Sequence, residues 1–372
     1  MTLRPSEWLG LLRPFARHLP GPIKEPLRRL VGERGTRTLP GDSRSQNLDY
    51  ATRIAEESSI FANQIEIHDL PPIFHYWSNT WLRPKLEASG FSNPDEFFAL
   101  YLERTHAEVA GPIRVASLGC GNCDTEVRVA RLLVDRGLSD FVIDCIDINQ
   151  AMLDRGRKLA AQIGVAERIN PSIGDFNSWR PHCTYDGIMA NQSLHHVSNL
   201  EDLFATIESA LTAGGRFITS DMIGRNGHMR WPEALTIVQE FWRELPCPYR
   251  WNTQLKRHEQ MYENWDCSNE GFEGIRAQDI LPLLVERFDF ELFIGYGNVI
   301  DPFIDRGFGP NFDAGADWDR DFIDRVHSCD ETEIRTGRIT PTHMMAVTRK
   351  RRSVGHVANQ AQRDAEASIR RP

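Results

Sequence analysis

Two stretches of this chain hold residue types that do chemistry. The first, RVASLGCGNCDTE from Arg114 to Glu126, sets Gly119 and Gly121 one residue apart, Cys120 and Cys123 three apart, and an acid at Asp124. Glycines at that spacing let a backbone turn sharply and approach a ligand closely, and a helix that starts just after them offers unpaired N–H groups. The second, NQSLHHV, places His195 beside His196, and RNGHMRW adds His228. Imidazoles titrate near neutral pH, so these three are the candidate proton acceptors. Cys120 and Cys123 also have zinc or redox spacing, but no second close Cys or His pair supplies the other half of a zinc site. They read as small side chains in a turn, and no metal is expected.

These residues need a frame, and the chain from Gly111 onward predicts one. Short β-branched runs alternate with amphipathic helices, the pattern of a parallel sheet covered by helices. IRVASL is the first strand, and DTEVRVARLLVDRG is a helix with acids in its first turn. FVIDCIDI is the second strand, RINPSIGD a weaker third, YDGIMAN the fourth and RFITSD the fifth. In such a sheet ligands sit at the carboxyl ends of the strands, at the switch point beside strand one. Asp147, closing the second strand, is placed to accept hydrogen bonds from a ribose. A dinucleotide fingerprint wants a small residue where this chain has Asp124, and an acid there repels a pyrophosphate. A ligand with a ribose and no phosphate is preferred.

In order and spacing these motifs resemble a class I S-adenosylmethionine-dependent methyltransferase. VASLGCGNCD is similar to that family's glycine-rich first motif, Asp147 to its ribose-binding acid and GDF, Gly174 to Phe176, to its adenine-contacting turn. YDGIMANQSLHHV and LTAGGRFITSD resemble its fourth-strand and fifth-strand regions. The resemblance runs from about Arg114 to Asp221. It implies a Rossmann-like seven-stranded, mostly parallel sheet with helices on both faces. It also implies S-adenosyl-L-methionine as cofactor, bound by Gly119, Cys120, Gly121, Asp124, Asp147, Ile148, Asp175, Phe176 and Asn191. Trp179 joins Phe176 as an aromatic face for the cationic sulfonium. The chain departs from the family at Ser117, where an acid is frequent, and at Cys123, where a third glycine is common. Asp124 stands in for the contact that Ser117 lacks.

Methyl transfer from a sulfonium needs nucleophile, methyl and sulfur in line, water kept out, and a base if the nucleophile is a hydroxyl. With His195, His196 or His228 as that base, the expected reaction is O-methylation of a small hydroxylated acceptor: a sugar, a glycolipid head or a specialised metabolite. N- or C-methylation is the alternative, as is a non-catalytic S-adenosylmethionine-binding protein.

The rest of the sequence sets the surroundings. Residues 1–44 carry nine Lys or Arg against four acids and are broken by Pro and Gly; they read as a basic arm that either stays loose or rests on an anionic membrane surface. Residues 45–110 are expected as a helical cap, with His68 and His75 among its aromatic residues. The core spans 111–350, with an aromatic insertion over the site at 222–275. A loose polar tail is expected at 351–372. The net charge of −9 over 372 residues argues against general nucleic-acid binding. Seven cysteines are too few to staple a chain of this length, and no apolar run is long enough to span a membrane, so a cytoplasmic location is expected.

Overall fold

The structure, a computed structural model, describes residues 70–109, 111–269, 272–351 and 358–371. The basic arm, and His68 with it, lie outside the described residues. The chain is first described in helix α1 (Pro72–Trp77), which runs through a π-helical turn into α2 (Arg83–Glu87). Helix α3 (Pro94–Glu108) follows, started by Pro94 and by Asn93, whose side chain accepts from the Glu96 N–H at 2.9 Å.

Strand β1 (Ile113–Leu118) leads into α4 (Asp124–Asp135), and β2 (Phe141–Asp147) into α5 (Gln150–Ile163). Asn149 caps α5 by accepting from Ala151 and Met152, and Gly164, at φ +78°, ends it. Then come β3 (Ile169–Ile173), β4 (Tyr185–Asn191), α6 (Leu200–Ala210) and the long β5 (Leu211–Met222). Beyond β5 lie α7 (Pro232–Glu244), a two-residue ribbon of β6 (Trp251–Asn252) and β7 (Arg257–His258), and α8 (Ala277–Arg287). Strand β8 (Phe288–Tyr296), α9 (Asp301–Ile304), α10 (Asp317–Arg335), β9 (His343–Lys350) and α11 (Gln360–Ala367) complete the order.

Seven strands form one sheet in the order β3-β2-β1-β4-β5-β9-β8, with β9 antiparallel to both of its neighbours and the other pairings parallel. This is the expected Rossmann-like sheet. Because side chains alternate along each strand, the sheet feeds two apolar layers. Val115, Ile143, Cys145, Met189 and Ile218 face one layer with α3, α4 and α5; Ala116, Ile146, Ile188, Ala190 and Phe217 face the other with α6 and α8. Among the described residues no helix is long and apolar enough to cross a membrane.

The structure differs from the sequence reading in two places. The helices expected as one cap separate. Helix α3 belongs to the sheet: Leu102 lies against Gly187 of β4, and the fully buried Arg216 of β5 reaches Thr105 and Glu108. Helices α1 and α2 instead join a second, aromatic lobe built from α7, α9 and α10, where Tyr76 and Trp81 donate to Asp324 and Trp77 donates to His327. The tail is also not loose throughout, since α11 packs on the outer strand β8. Asn359 donates to the Phe290 carbonyl at 2.7 Å and Gln362 accepts from the Phe290 N–H at 3.0 Å, so two amide side chains take the place of a further strand.

Candidate functional site

The glycine-rich turn sits where the switch point requires it, after β1 and against the end of β2. Gly119, at φ +69°, leaves no room for a side chain: a Cβ there would lie 2.6 Å from Ser193 Cβ and 3.2 Å from the Phe176 ring. Gly121 also has positive φ, and its N–H donates to Asp147 at 2.8 Å. The other oxygen of Asp147 accepts from the Asn149 N–H at 2.9 Å, so the carboxylate is fixed at the mouth of the turn. Ile148 beside it is half-buried, as are Asp124, at the first turn of α4, and Asp175 and Phe176 after β3. Asn191 donates to Thr125 at 3.1 Å, leaving its buried Oδ1 as an acceptor with no partner among the described residues.

Cys123 occupies the position where a third glycine would be common, and it adopts a glycine-like φ of +56°. It fits because the residue facing it on α5 is Gly156; a Cβ there would lie 2.7 Å from Cys123 Sγ. The sulfur of Cys120 points back into the apolar layer, 3.6 Å from Cys123 and close to Cys145, so Cys120 offers the cleft its backbone and not its side chain. Burial pushes the Cys120 and Cys145 thiols well above their ordinary pKa, and neighbouring thiols add to the effect at Cys120. Ser117 is also accounted for: its hydroxyl donates to Glu126 of α4 at 2.7 Å, both groups being buried. Trp179 packs against Tyr185 in the apolar layer under α6, away from the role expected of it as a second aromatic face.

The three histidines come together around a residue the sequence reading missed. His228 Nε2 lies 2.7 Å from Glu273 Oε1, His195 Nε2 3.4 Å from the same oxygen, and His196 Nε2 3.6 Å from Oε2. On its other side His195 bonds through Nδ1 to Asp221 at 2.7 Å. Asp221, at the end of β5, also accepts from the N–H groups of Ser193, Leu194 and Met222, so one carboxylate pins the whole turn that follows β4. Glu273 lies 45 residues beyond His228, too far for a local pattern to signal it.

Holding this cluster costs backbone strain. Gln192 and His228 both adopt positive φ, at +56° and +55°, which such residues rarely do unless their surroundings enforce it. The enforcement at His228 comes from Gly227 and Gly274, whose backbones bond at 2.9 Å and press together so closely that a Cβ on Gly274 would meet the His228 ring at 3.0 Å.

Burial opposes charge in this cluster, but the pairing outweighs it. Asp221 and Glu273 together push His195 up to about 9, and the surrounding histidines hold Glu273 well below the usual carboxylate range. The two carboxylates thus favour the protonated form of His195. His228 is the most exposed of the four side chains.

Residues 116–217 match the family model described as a methyltransferase domain. Over that segment the chain is similar to methyltransferases. The cofactor that this similarity implies is S-adenosylmethionine, and the glycine turn is where it would be held. At the expected site Gly119 is packed too closely against Ser193 and Phe176 to carry a side chain, Asp147 is fixed by the Gly121 N–H, and the buried Asn191 Oδ1 has no hydrogen-bond partner among the described residues. A segment of 128 residues is 30% identical to the biotin biosynthesis bifunctional protein BioHC of Teredinibacter turnerae, covering 34% of this chain and 21% of that protein. The chain thus spans about a fifth of the length of that curated relative. Among solved structures, a geranyl diphosphate C-methyltransferase from Streptomyces coelicolor is 13% identical with a TM-score of 0.43, over 80% of this chain and 98% of that one. The CcbJ methyltransferase from Streptomyces caelestis is 22% identical with a TM-score of 0.29, over 37% of this chain and 51% of that one. Neither bears on the acceptor of this methyltransferase domain.

Proposed function

We propose that the chain methylates an oxygen of a small hydroxylated acceptor, such as a sugar, a glycolipid head or a specialised metabolite. The observation that carries this reading is the histidine–Glu273 cluster, joined through Ser193 to the glycine turn. Ser193 abuts Gly119 on one side and hydrogen-bonds Asp221 on the other, so cradle and cluster share one turn of chain. When bound, S-adenosylmethionine supplies an activated methyl group. The chain's part is to hold the acceptor in line and to receive its proton. Gly119, Gly121, Asp147, Ile148, Asp175, Phe176 and Asn191 form the cofactor side, with Asp124 at the helix start. Protonated His195 fixes Glu273, and His228 or His196 takes the proton from the acceptor hydroxyl.

The reading is tested by incubating the protein with S-adenosylmethionine carrying a labelled methyl group and a fractionated cell extract. Label should enter a polar or lipid small molecule through an ether or ester oxygen. Label on nitrogen or carbon, or in protein or RNA, would overturn the acceptor class, and silence in every fraction would favour a non-catalytic binder. Binding of S-adenosylhomocysteine should weaken at least tenfold in Asp147→Ala, on the order of the 1.4 kcal/mol or more that a charge-assisted hydrogen bond contributes.

A further inference from the structure

We infer that His195, His228 and Glu273 form a binding site for one divalent first-row transition ion, such as zinc, cobalt or iron. The inference stands independently of the methyl-transfer reading, because ion binding is measured with neither cofactor nor acceptor present.

The donor atoms of the three side chains all lie within 4.8 Å of one another. Around an ion bound at about 2.0–2.2 Å, neighbouring donors sit roughly 3.0–3.5 Å apart. Of the observed separations, 3.4 Å from His195 Nε2 to Glu273 Oε1 lies within that range and 2.7 Å from His228 Nε2 to the same oxygen falls just below it, so only small side-chain adjustment is needed. Two imidazoles and one carboxylate form a donor set that suits this class of ion and leaves positions open for water or a substrate oxygen.

Three features support the assignment. His195 is fully buried, and its Nε2 is aimed at Glu273 Oε1 across 3.4 Å, the arrangement two donors take around a shared ion. Asp221 takes the opposite nitrogen of the same ring, the outer carboxylate that orients metal-binding histidines and fixes their tautomer. The third donor, His228, has a left-handed backbone conformation and packs against Gly274, which fixes where its ring points. The ion takes the place of the proton that otherwise joins His195 to Glu273. With it bound, an acceptor oxygen can coordinate directly, and His196 is left as the nearby imidazole.

The test uses the full-length, untagged protein after chelator treatment, titrated with Zn2+ by calorimetry and with Co2+ by absorption spectroscopy. One equivalent should bind, and both Glu273→Gln and His228→Gln should weaken binding at least tenfold while keeping a folded circular-dichroism spectrum. Unchanged affinity in folded variants, or no binding by the wild-type protein, overturns the inference. The wild-type cobalt spectrum needs no variant. Ligand-field bands without thiolate charge transfer support the site, and a thiolate band places the ion at Cys120, Cys123 and Cys145 instead and overturns it.

Discussion

Cys123 and Gly156 act as a pair. In most helix interiors, replacing a glycine by alanine stabilises by about 1 kcal/mol, since alanine loses less backbone freedom. At Gly156 the added methyl would meet Cys123 Sγ at 2.7 Å and the Asn122 carbonyl at 3.0 Å, and crowding of that kind costs about 1–3 kcal/mol. The displaced atoms belong to the cofactor turn, so Gly156→Ala should weaken S-adenosylhomocysteine binding by about tenfold, measured by calorimetry. Adding Cys123→Gly removes the sulfur and suits the positive φ, so the double variant should recover most of the affinity. Strictly additive losses would show that the two residues do not interact. Sequence reasoning found the cradle because glycine spacing is a local signal. Ser117 and Cys123 stood out there as departures, since a spacing pattern does not show that Ser117 turns to the nearby Glu126 or that Cys123 faces Gly156 on the next helix. Glu273 was missed because 45 residues separate it from His228, while His195, His196 and His228 were visible by residue type although not by their shared partner.

At the scale of elements, α11 shows how a polar segment can serve a sheet. Residues 351–372 lack apolar periodicity, so their sequence reads as a loose tail, yet Asn359 and Gln362 bond both backbone groups of Phe290 on the outer strand. The signal for that docking is an amide side chain at the right height on the partner strand, which no single-segment pattern contains. Gln362→Ala leaves the buried Phe290 N–H unpaired and should destabilise by about 1–2 kcal/mol in urea denaturation. Deleting residues 358–372 should cost more and should also give concentration-dependent association in sedimentation, because β8 would present an unpaired edge. A deletion variant that stays monomeric with unchanged stability would refute the capping role. The split of the expected cap has a similar origin. Helix α3 and helices α1–α2 have comparable apolar content, and only tertiary contacts send one to the sheet and the others to the aromatic lobe.

Across the whole molecule, the aromatic lobe is assembled from distant parts of the chain, shares its apolar core with one face of the sheet and also meets the sheet at a buried charge cluster. Trp242 packs on Phe303 and Phe308, and Phe303 and Phe312 pack on Phe322, so α7, α9 and α10 share one core. Asp301, at the start of α9, accepts from Arg230 at 2.8 Å and from Thr342 at 2.8 Å, with His343 of β9 at 3.2 Å. Burial raises the Asp301 pKa, but His343 and Arg230 outweigh it and pull the group down to about 2, from an ordinary 3.8. A carboxyl depressed in the folded state contributes stability that is present above its unfolded pKa and is lost as pH falls through the folded one. The window here runs from about pH 4 down to about pH 2, and the contribution is about 2 kcal/mol, at 1.36 kcal/mol per pKa unit. Asp301→Asn should therefore flatten the acid limb of the stability–pH curve over that window. At pH 7 it should cost about 3–5 kcal/mol, because Arg230 would be left buried without its counter-charge. Urea midpoints measured from about pH 7 down to about pH 2 in both proteins would reveal this. If the variant kept the wild-type slope below pH 4, the acid sensitivity would belong to other carboxylates, and the lobe would be held by its aromatic packing alone.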